Sequence, residues 1–252
     1  MSYIVNRNIE SLEEIINEVP MECNILVCRN KGLRSLRGID RLPQITTLRV
    51  ENNQIESLQG IVGSNVIYLY IDNNQIISLE HIVGSNVTHL YIRNNQITSL
   101  EHIVGSNITH LYINNNNQIT SFQGIIGSEV LTLDVSNNQF ISLEGIVGSN
   151  VTTLYIENNQ ITSLEHIIGS NVTHLYIDDN QITSLEHIVG SNVTHLYISN
   201  NQIASLEEIV GSNVIHLSIE NNPCYNEFVE LENSIEKVKE RYFLDIKDPG
   251  FE

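Results

Sequence analysis

The chain has 252 residues, 41% of them hydrophobic, and 12 basic against 30 acidic side chains give a formal charge of −18. That balance excludes the basic footprint with which proteins grip nucleic acid, and it disfavours an anionic membrane surface. No run of 18 apolar residues is available to span a bilayer, and three cysteines, an odd number in so long a chain, do not make a disulfide framework.

The first segment, Met1 to Pro20, carries four glutamates and no uninterrupted apolar stretch, so it is not a secretory leader and a reducing, cytoplasmic setting is expected. Asn8 to Val19 places Ile9, Leu12, Ile15, Ile16 and Val19 on one helical face, which predicts a helical N-terminal cap over residues 1–22. From Cys23 a periodic array runs to residue 222, and its first coil is a 22-residue variant with Lys31 at a position that later holds asparagine. Asn-Gln then recurs every 21 residues from Asn53 to Asn201. The one exception is a 22-residue step from Asn95 to Asn117, where the run Asn114–Asn117 holds an extra asparagine. A fixed period of this size means stacked coils, none able to bury its apolar face alone, and hence a solenoid.

One unit, Val66 to Asn86, has apolar residues at Val66, Leu69, Ile71, Ile76, Leu79 and Ile82, with Asn74 among them. This L-x-x-L-x-L-x-x-N-x-L pattern resembles the leucine-rich repeat family, most closely its short-repeat class of internalins and phosphatase regulators. The resemblance covers residues 23–222, some ten strands. It implies an α/β repeat solenoid: a curved horseshoe with a parallel sheet on the concave face and 3₁₀ or extended segments outside. The residues agree. Leu69 and Ile71 alternate inward while Tyr68, Tyr70 and Asp72 face outward, and all four prolines lie outside the 21-residue array, whose ladder needs its N–H donors.

Around residues 114–153 the pattern is interrupted. Beyond the extra asparagine, Phe122 and Phe140 replace aliphatic core residues, Glu129 replaces an asparagine, and Asp134 and Ser136 replace larger outward residues. After Asn222-Pro223, residues 223–252 read as a C-terminal helical cap: an amphipathic helix from Tyr225 to Arg241 through Phe228, Leu231, Ile235 and Val238, then Phe243-Leu244-Asp245. This ending is similar to the cap of intracellular leucine-rich repeat proteins. Cys23 and Cys28 fall at strand core positions, where cysteine acts as a small hydrophobe.

Enzyme signatures are absent: no G-x-S-x-G, P-loop or H-E-x-x-H occurs, and the histidines and carboxylates follow the repeat. No enzymatic activity and no cofactor are expected. The outward strand columns carry the candidate chemistry. One holds Tyr68, His89, His110, His174 and His195; the next holds Tyr70, Tyr91, Tyr112, Asp134, Tyr155, Tyr176 and Tyr197; Arg93 stands in the third among mainly acidic and small residues. Parallel strands turn such columns into ladders about 4.8 Å in step, and tyrosine is a frequent interface anchor. Neighbouring histidines could share a metal ion, but a flat ladder aims its side chains in parallel, so no dedicated metal site is expected. The N-x-T sequences at Asn86, Asn107, Asn150, Asn171 and Asn192 follow from the repeat GSNVTHL rather than marking glycans.

These features predict a non-enzymatic recognition scaffold that binds a protein or peptide, basic in character, on a concave face lined by Tyr and His, with no nucleic-acid or membrane partner. The alternatives are a structural protein that assembles head to tail, residues 1–50 carrying 7 basic and 6 acidic side chains against one and 18 in residues 51–230, and an internalin-like surface adhesin. A monomer is expected under the first reading.

Overall fold

Eleven three-residue strands stack in chain order into one parallel sheet. They are β1 (Ser2–Ile4), β2 (Ile25–Val27), β3 (Thr47–Arg49), β4 (Tyr68–Tyr70), β5 (His89–Tyr91), β6 (His110–Tyr112), β7 (Thr132–Asp134), β8 (Thr153–Tyr155), β9 (His174–Tyr176), β10 (His195–Tyr197) and β11 (His216–Ser218). The computed structural model describes residues 1–116 and 118–247. The register is unbroken, with Leu48, Leu69, Leu90, Leu111 and Leu133 paired in turn. In a representative coil Val66, Leu69, Ile71, Ile76, Leu79 and Ile82 are all fully buried. Each coil's apolar residues meet those of its neighbours, so the core is continuous along the solenoid.

Asparagines hold the corner where each strand ends. Asn74 donates through Nδ2 to the carbonyls of Val50 (3.1 Å), Ile71 (3.0 Å) and Asp72 (3.2 Å), and its Oδ1 accepts from the Ile55 N–H (2.9 Å). One side chain thereby satisfies backbone groups of two coils in a buried place. The residue before it, Asn73, takes the left-handed conformation (φ 56°), which Asn and Asp tolerate better than most residues. This accounts for the pairing of two asparagines ahead of Gln in most coils. The insertion is also located. Asn116, not Asn117, accepts from the Ile97 N–H (3.0 Å), so the extra residue follows the ladder position and is Asn117 itself, which lies outside the described residues.

A second ladder occupies another corner. Asn86 and Asn107 donate through Nδ2 to the carbonyls of Ser64 and Ser85, both at 2.7 Å, and Asn150, Asn171 and Asn192 do the same in later coils. The nitrogen a glycan would occupy is therefore a structural donor. Glu129 interrupts this ladder.

The convex side takes two forms. Short 3₁₀ turns form at Glu80–Ile82, Glu101–Ile103, Glu186–Ile188 and Glu207–Ile209. In other coils a left-handed residue takes their place: Gly60, Gly124, Gly145 and, without a glycine's freedom, His166 (φ 71°). At Gly124 a Cβ would stand 2.2 Å from the Leu100 carbonyl oxygen, so only glycine fits there.

Both ends differ from the helices the sequence suggests. Residues Ser2–Ile4 pair with β2, and only one 3₁₀ turn, Leu12–Ile15, replaces the helix expected over Asn8–Val19. Ile9, Leu12, Ile15 and Val19 serve a coil interior as well as a helical face. Pairing with the second coil decides between them, through Val5 N–H to Val27 and Ile9 N–H to Lys31, each at 3.0 Å. A polar strap crosses this terminal coil: Arg7 bonds Glu14 (3.3 Å) and Glu18 (2.8 Å), and the Tyr3 hydroxyl donates to Glu18 (3.2 Å). At the other end the expected single helix divides into α1 (Tyr225–Glu230) and α2 (Ile235–Lys247), because Glu232 and Asn233 are left-handed between them. Phe228, Ile235 and Val238 close the core, and Lys239 Nζ donates to the carbonyls of Ser212 (3.0 Å) and Val214 (3.2 Å). The side chains of Phe243, Leu244 and Asp245 lie outside the described residues.

Candidate recognition face

The outward columns of β4 to β10 bring the sequence-derived residues together, but as two groups. Tyr70, Tyr91 and Tyr112 stack with ring centres 4.3 and 4.6 Å apart and planes within 5° of parallel. Tyr155, Tyr176 and Tyr197 form a second stack at 4.3 Å. Asp134 pairs with Tyr112 on one side and Tyr155 on the other, so one carboxylate stands where a ring would join the two stacks. Burial, then neighbouring phenols, push the central Tyr91 hydroxyl up to about 12.

The histidine column repeats the arrangement. Tyr68 tilts against His89, His89 stacks on His110 (4.2 Å), and His174 stacks on His195 (4.3 Å). Threonine hydroxyls meet Nδ1 of His89, His110, His174 and His195 at 2.8–3.0 Å. Burial and the adjacent His110 lower the His89 pKa from its ordinary value. Stacked rings hold their nitrogens side by side instead of aiming them at one point. Among the described residues, no group of three or more His, Cys, Asp or Glu side chains is placed to hold a metal ion.

The acidic column divides the face most sharply. Glu51 is 7% exposed and takes a bidentate contact from Arg29 (2.7 and 2.8 Å) and another from Arg49 (3.0 Å). Burial pushes its carboxyl up, but the bonds from Arg29, a backbone N–H and Arg49 outweigh this and hold it below the ordinary carboxylate value. Asp72 bonds the Arg93 backbone N–H (2.7 Å) and its guanidinium (3.2 Å). Further along, Asp134, Glu157 and Asp178 have no such partner among the described residues. Burial raises all three carboxyls above their ordinary values. It does so despite the Ser136 N–H on Asp134, the Ser136 hydroxyl on Glu157 and the Ser199 N–H on Asp178. Arg93 acts on Asp134 only at a distance. A shallow cavity of about 360 Å³ opens here, lined by Asp134, Ser136, Tyr155, Glu157, Asp178 and Asp179.

Glu157, Asp178 and Asp179 stand outside the residue set that sequence reasoning favoured, which followed the aromatic columns. The signal for Glu157 and Asp178 was the third outward column, where neighbouring carboxylates have no basic residue within reach along the chain; Asp179 follows at the left-handed position.

Residues 85–127 match the family model of leucine-rich repeats in two copies. Among solved structures, internalin C2 from Listeria monocytogenes is 25% identical, with a TM-score of 0.60 over 70% of this chain and 80% of that one. The leucine-rich repeat domain of LRIM1 is 16% identical, with a TM-score of 0.64 over 97% and 84%. A plant ice-binding protein is 15% identical, with a TM-score of 0.56 over 80% and 73%. No curated protein matches the chain in sequence. The class defined by these coils is the leucine-rich repeat solenoid. This chain has the leucine-rich repeat fold, and its repeats fit the short, internalin-like type.

Proposed function

We propose that the protein is a non-enzymatic recognition scaffold whose concave face binds a basic protein or peptide. Leucine-rich repeat folds generally mediate protein–protein interaction. The observation that carries the finer reading is the set of half-buried carboxylates, Asp134, Glu157 and Asp178, raised in pKa and without a cation among the described residues, beside two tyrosine stacks. A cationic partner would supply what Arg29, Arg49 and Arg93 supply to Glu51 and Asp72. The acidity of the array would also steer such a partner in from a distance.

We take the chain as a monomer in the cytoplasm. The charged strap over the first coil opposes addition of another strand there. The three cysteines are buried and unpaired, and burial pushes the Cys28 and Cys224 thiols up to about 12 and about 11. Among the described residues no helix is long and apolar enough to cross a membrane.

Selection from a random peptide library tests the reading. Bound sequences should be rich in Lys and Arg, and Tyr112→Ala and Tyr155→Ala should each weaken binding at least about tenfold, as truncation of an interface anchor does. His81→Ala and His187→Ala, on the convex side, should change nothing. Selected peptides that are neutral or acidic, or binding lost only in the convex pair, would overturn it.

A further inference from the structure

We propose that the gap at Asp134 is an arginine slot: a guanidinium from the partner enters between Tyr112 and Tyr155, lies on the Asp134 carboxylate and takes the place of the missing ring. This rests on the reading that a basic polypeptide occupies the concave face, and it names the side chain that the face selects.

Spacing is the first support. Within each stack, ring centres stand 4.3–4.6 Å apart. Tyr112 and Tyr155 are separated by one strand, so their rings stand two strand spacings apart, about 9–10 Å. That vacancy has the thickness of one flat group. A cation held there lies within about 6 Å of both ring centres, the range over which a π face attracts it. Every other ring in the stacks turns its face to a neighbouring ring or end group. Only Tyr112 and Tyr155 turn faces toward a carboxylate.

The chain itself shows the second. At the start of the same column Arg49 pairs with Tyr70 in the sheet register, and its Cζ lies 4.4 Å from the Tyr70 ring centre, which is the ring-to-ring spacing. Its Nε and Nη2 donate to Glu51 at 3.2 and 3.0 Å. A guanidinium thus already substitutes for a ring in this ladder, with a carboxylate as its anchor. The Asp134 gap has the rings and the carboxylate and lacks the guanidinium. Arg93, the one basic residue in 51–230, is held by Asp72.

The third support is what surrounds the gap. Asn114 Oδ1 is buried without a hydrogen-bond partner and lines the same cavity as Asp134 and Glu157. A guanidinium carries five N–H donors in a flat fork, so it can bond Asp134 and still meet further acceptors. A lysine ammonium is compact, strongly hydrated and not planar. It cannot fill a slot between two parallel faces in this way.

The test uses the full chain and two probes, an acetylated Gly-Arg-Gly-Arg-Gly amide and its lysine counterpart, titrated at low salt. The chain has no tryptophan and six of its ten tyrosines lie in the two stacks, so most of the tyrosine fluorescence comes from them. The arginine peptide should bind the wild type at least about tenfold more tightly than the lysine peptide, a difference of about 1.4 kcal/mol. Asp134→Tyr restores the residue that six other coils carry in this column, so it should fold, as circular dichroism will show, and fill the slot. It should then bind the two peptides alike. If both peptides bind the wild type equally, or if Asp134→Tyr keeps the preference, the slot is refuted while the basic-partner reading stands. If neither peptide binds the wild type, both are refuted.

Discussion

On β3 to β5 the concave carboxylates are matched within the chain: Glu51 by Arg29 and Arg49, Asp72 by Arg93. On β7 to β9 Asp134, in the tyrosine column, and Glu157 and Asp178, in the column of Glu51 and Asp72, are half-buried and have hydroxyls or backbone N–H groups as their bonding partners. The strand register and the asparagine ladder run through both regions. What differs is whether the cost of desolvating a carboxylate is offset by a cation. A buried carboxylate with a guanidinium contact is driven to ionise, and one without is pushed toward its protonated form. The first region is therefore compensated within the chain, whereas the second has no such compensation among the described residues. Repetition fixes the frame of a solenoid, and small departures in the outward columns set its local electrostatics.

The largest expected effects test that the frame is shared. Asn74→Leu and Asn159→Leu each remove a side chain that makes four bonds to backbone. Each stranded buried group costs about 1–3 kcal/mol, so both variants should lose about 3 kcal/mol or more in urea unfolding. A large loss in one region and none in the other would break the premise that the coils are equivalent.

Next come substitutions whose signs should differ. Glu51→Gln leaves Arg29 and Arg49 without their anion and should destabilise by about 1.5–3 kcal/mol, the range for hydrogen bonds to charged groups. Glu157→Gln removes a desolvated charge while keeping an acceptor for Ser136, so its melting temperature should hold or rise. Equal losses in the two variants would mean the two regions do not differ electrostatically.

The pH dependence sharpens the same contrast. For Asp134, Glu157 and Asp178 the folded-state pKa lies above the unfolded one, so the folded chain takes up protons first. Lowering the pH from neutral into the ordinary carboxylate range should therefore add stability. Glu51 runs the other way: its contribution is present above the ordinary value and is lost as the pH falls through its lowered one. Melting temperatures measured from about pH 7 to about pH 3, spanning the carboxylate range, should rise and then fall. Asp134→Asn, Glu157→Gln and Asp178→Asn combined should abolish the rise, and a rise that persists would assign it to other groups.

The smallest effect concerns the convex side, which follows a different grouping. His166 is left-handed where Gly60, Gly124 and Gly145 stand in equivalent coils, whereas His187 lies in a 3₁₀ turn. His166→Gly should stabilise slightly or be neutral, while His187→Gly should cost about 0.5–1 kcal/mol. Identical shifts in thermal melts would show that the two convex forms interconvert freely.

The sequence by itself determined the solenoid, the parallel order of its strands and the inward and outward faces, because a 21-residue period with alternating Leu and Ile leaves one way to bury the apolar side chains. It also placed Tyr112, Asp134 and Tyr155 at an interruption of the aromatic column. Tertiary structure decided the rest. It made residues 1–22 a further coil, since Ile9, Leu12, Ile15 and Val19 suit either a helix or a coil interior and only pairing with β2 separates the two. It split the terminal helix at Glu232 and Asn233, and it gave the ladder role to Asn116, a one-residue choice within a run of asparagines that no local signal makes. It also decided which carboxylates are compensated. Arg29 and Glu51 are 22 residues apart, and their contact exists only because one coil lies upon the next. Charge counted along the chain records an acidic array, whereas stacking brings some of those charges a cation and leaves Asp134, Glu157 and Asp178 without one among the described residues.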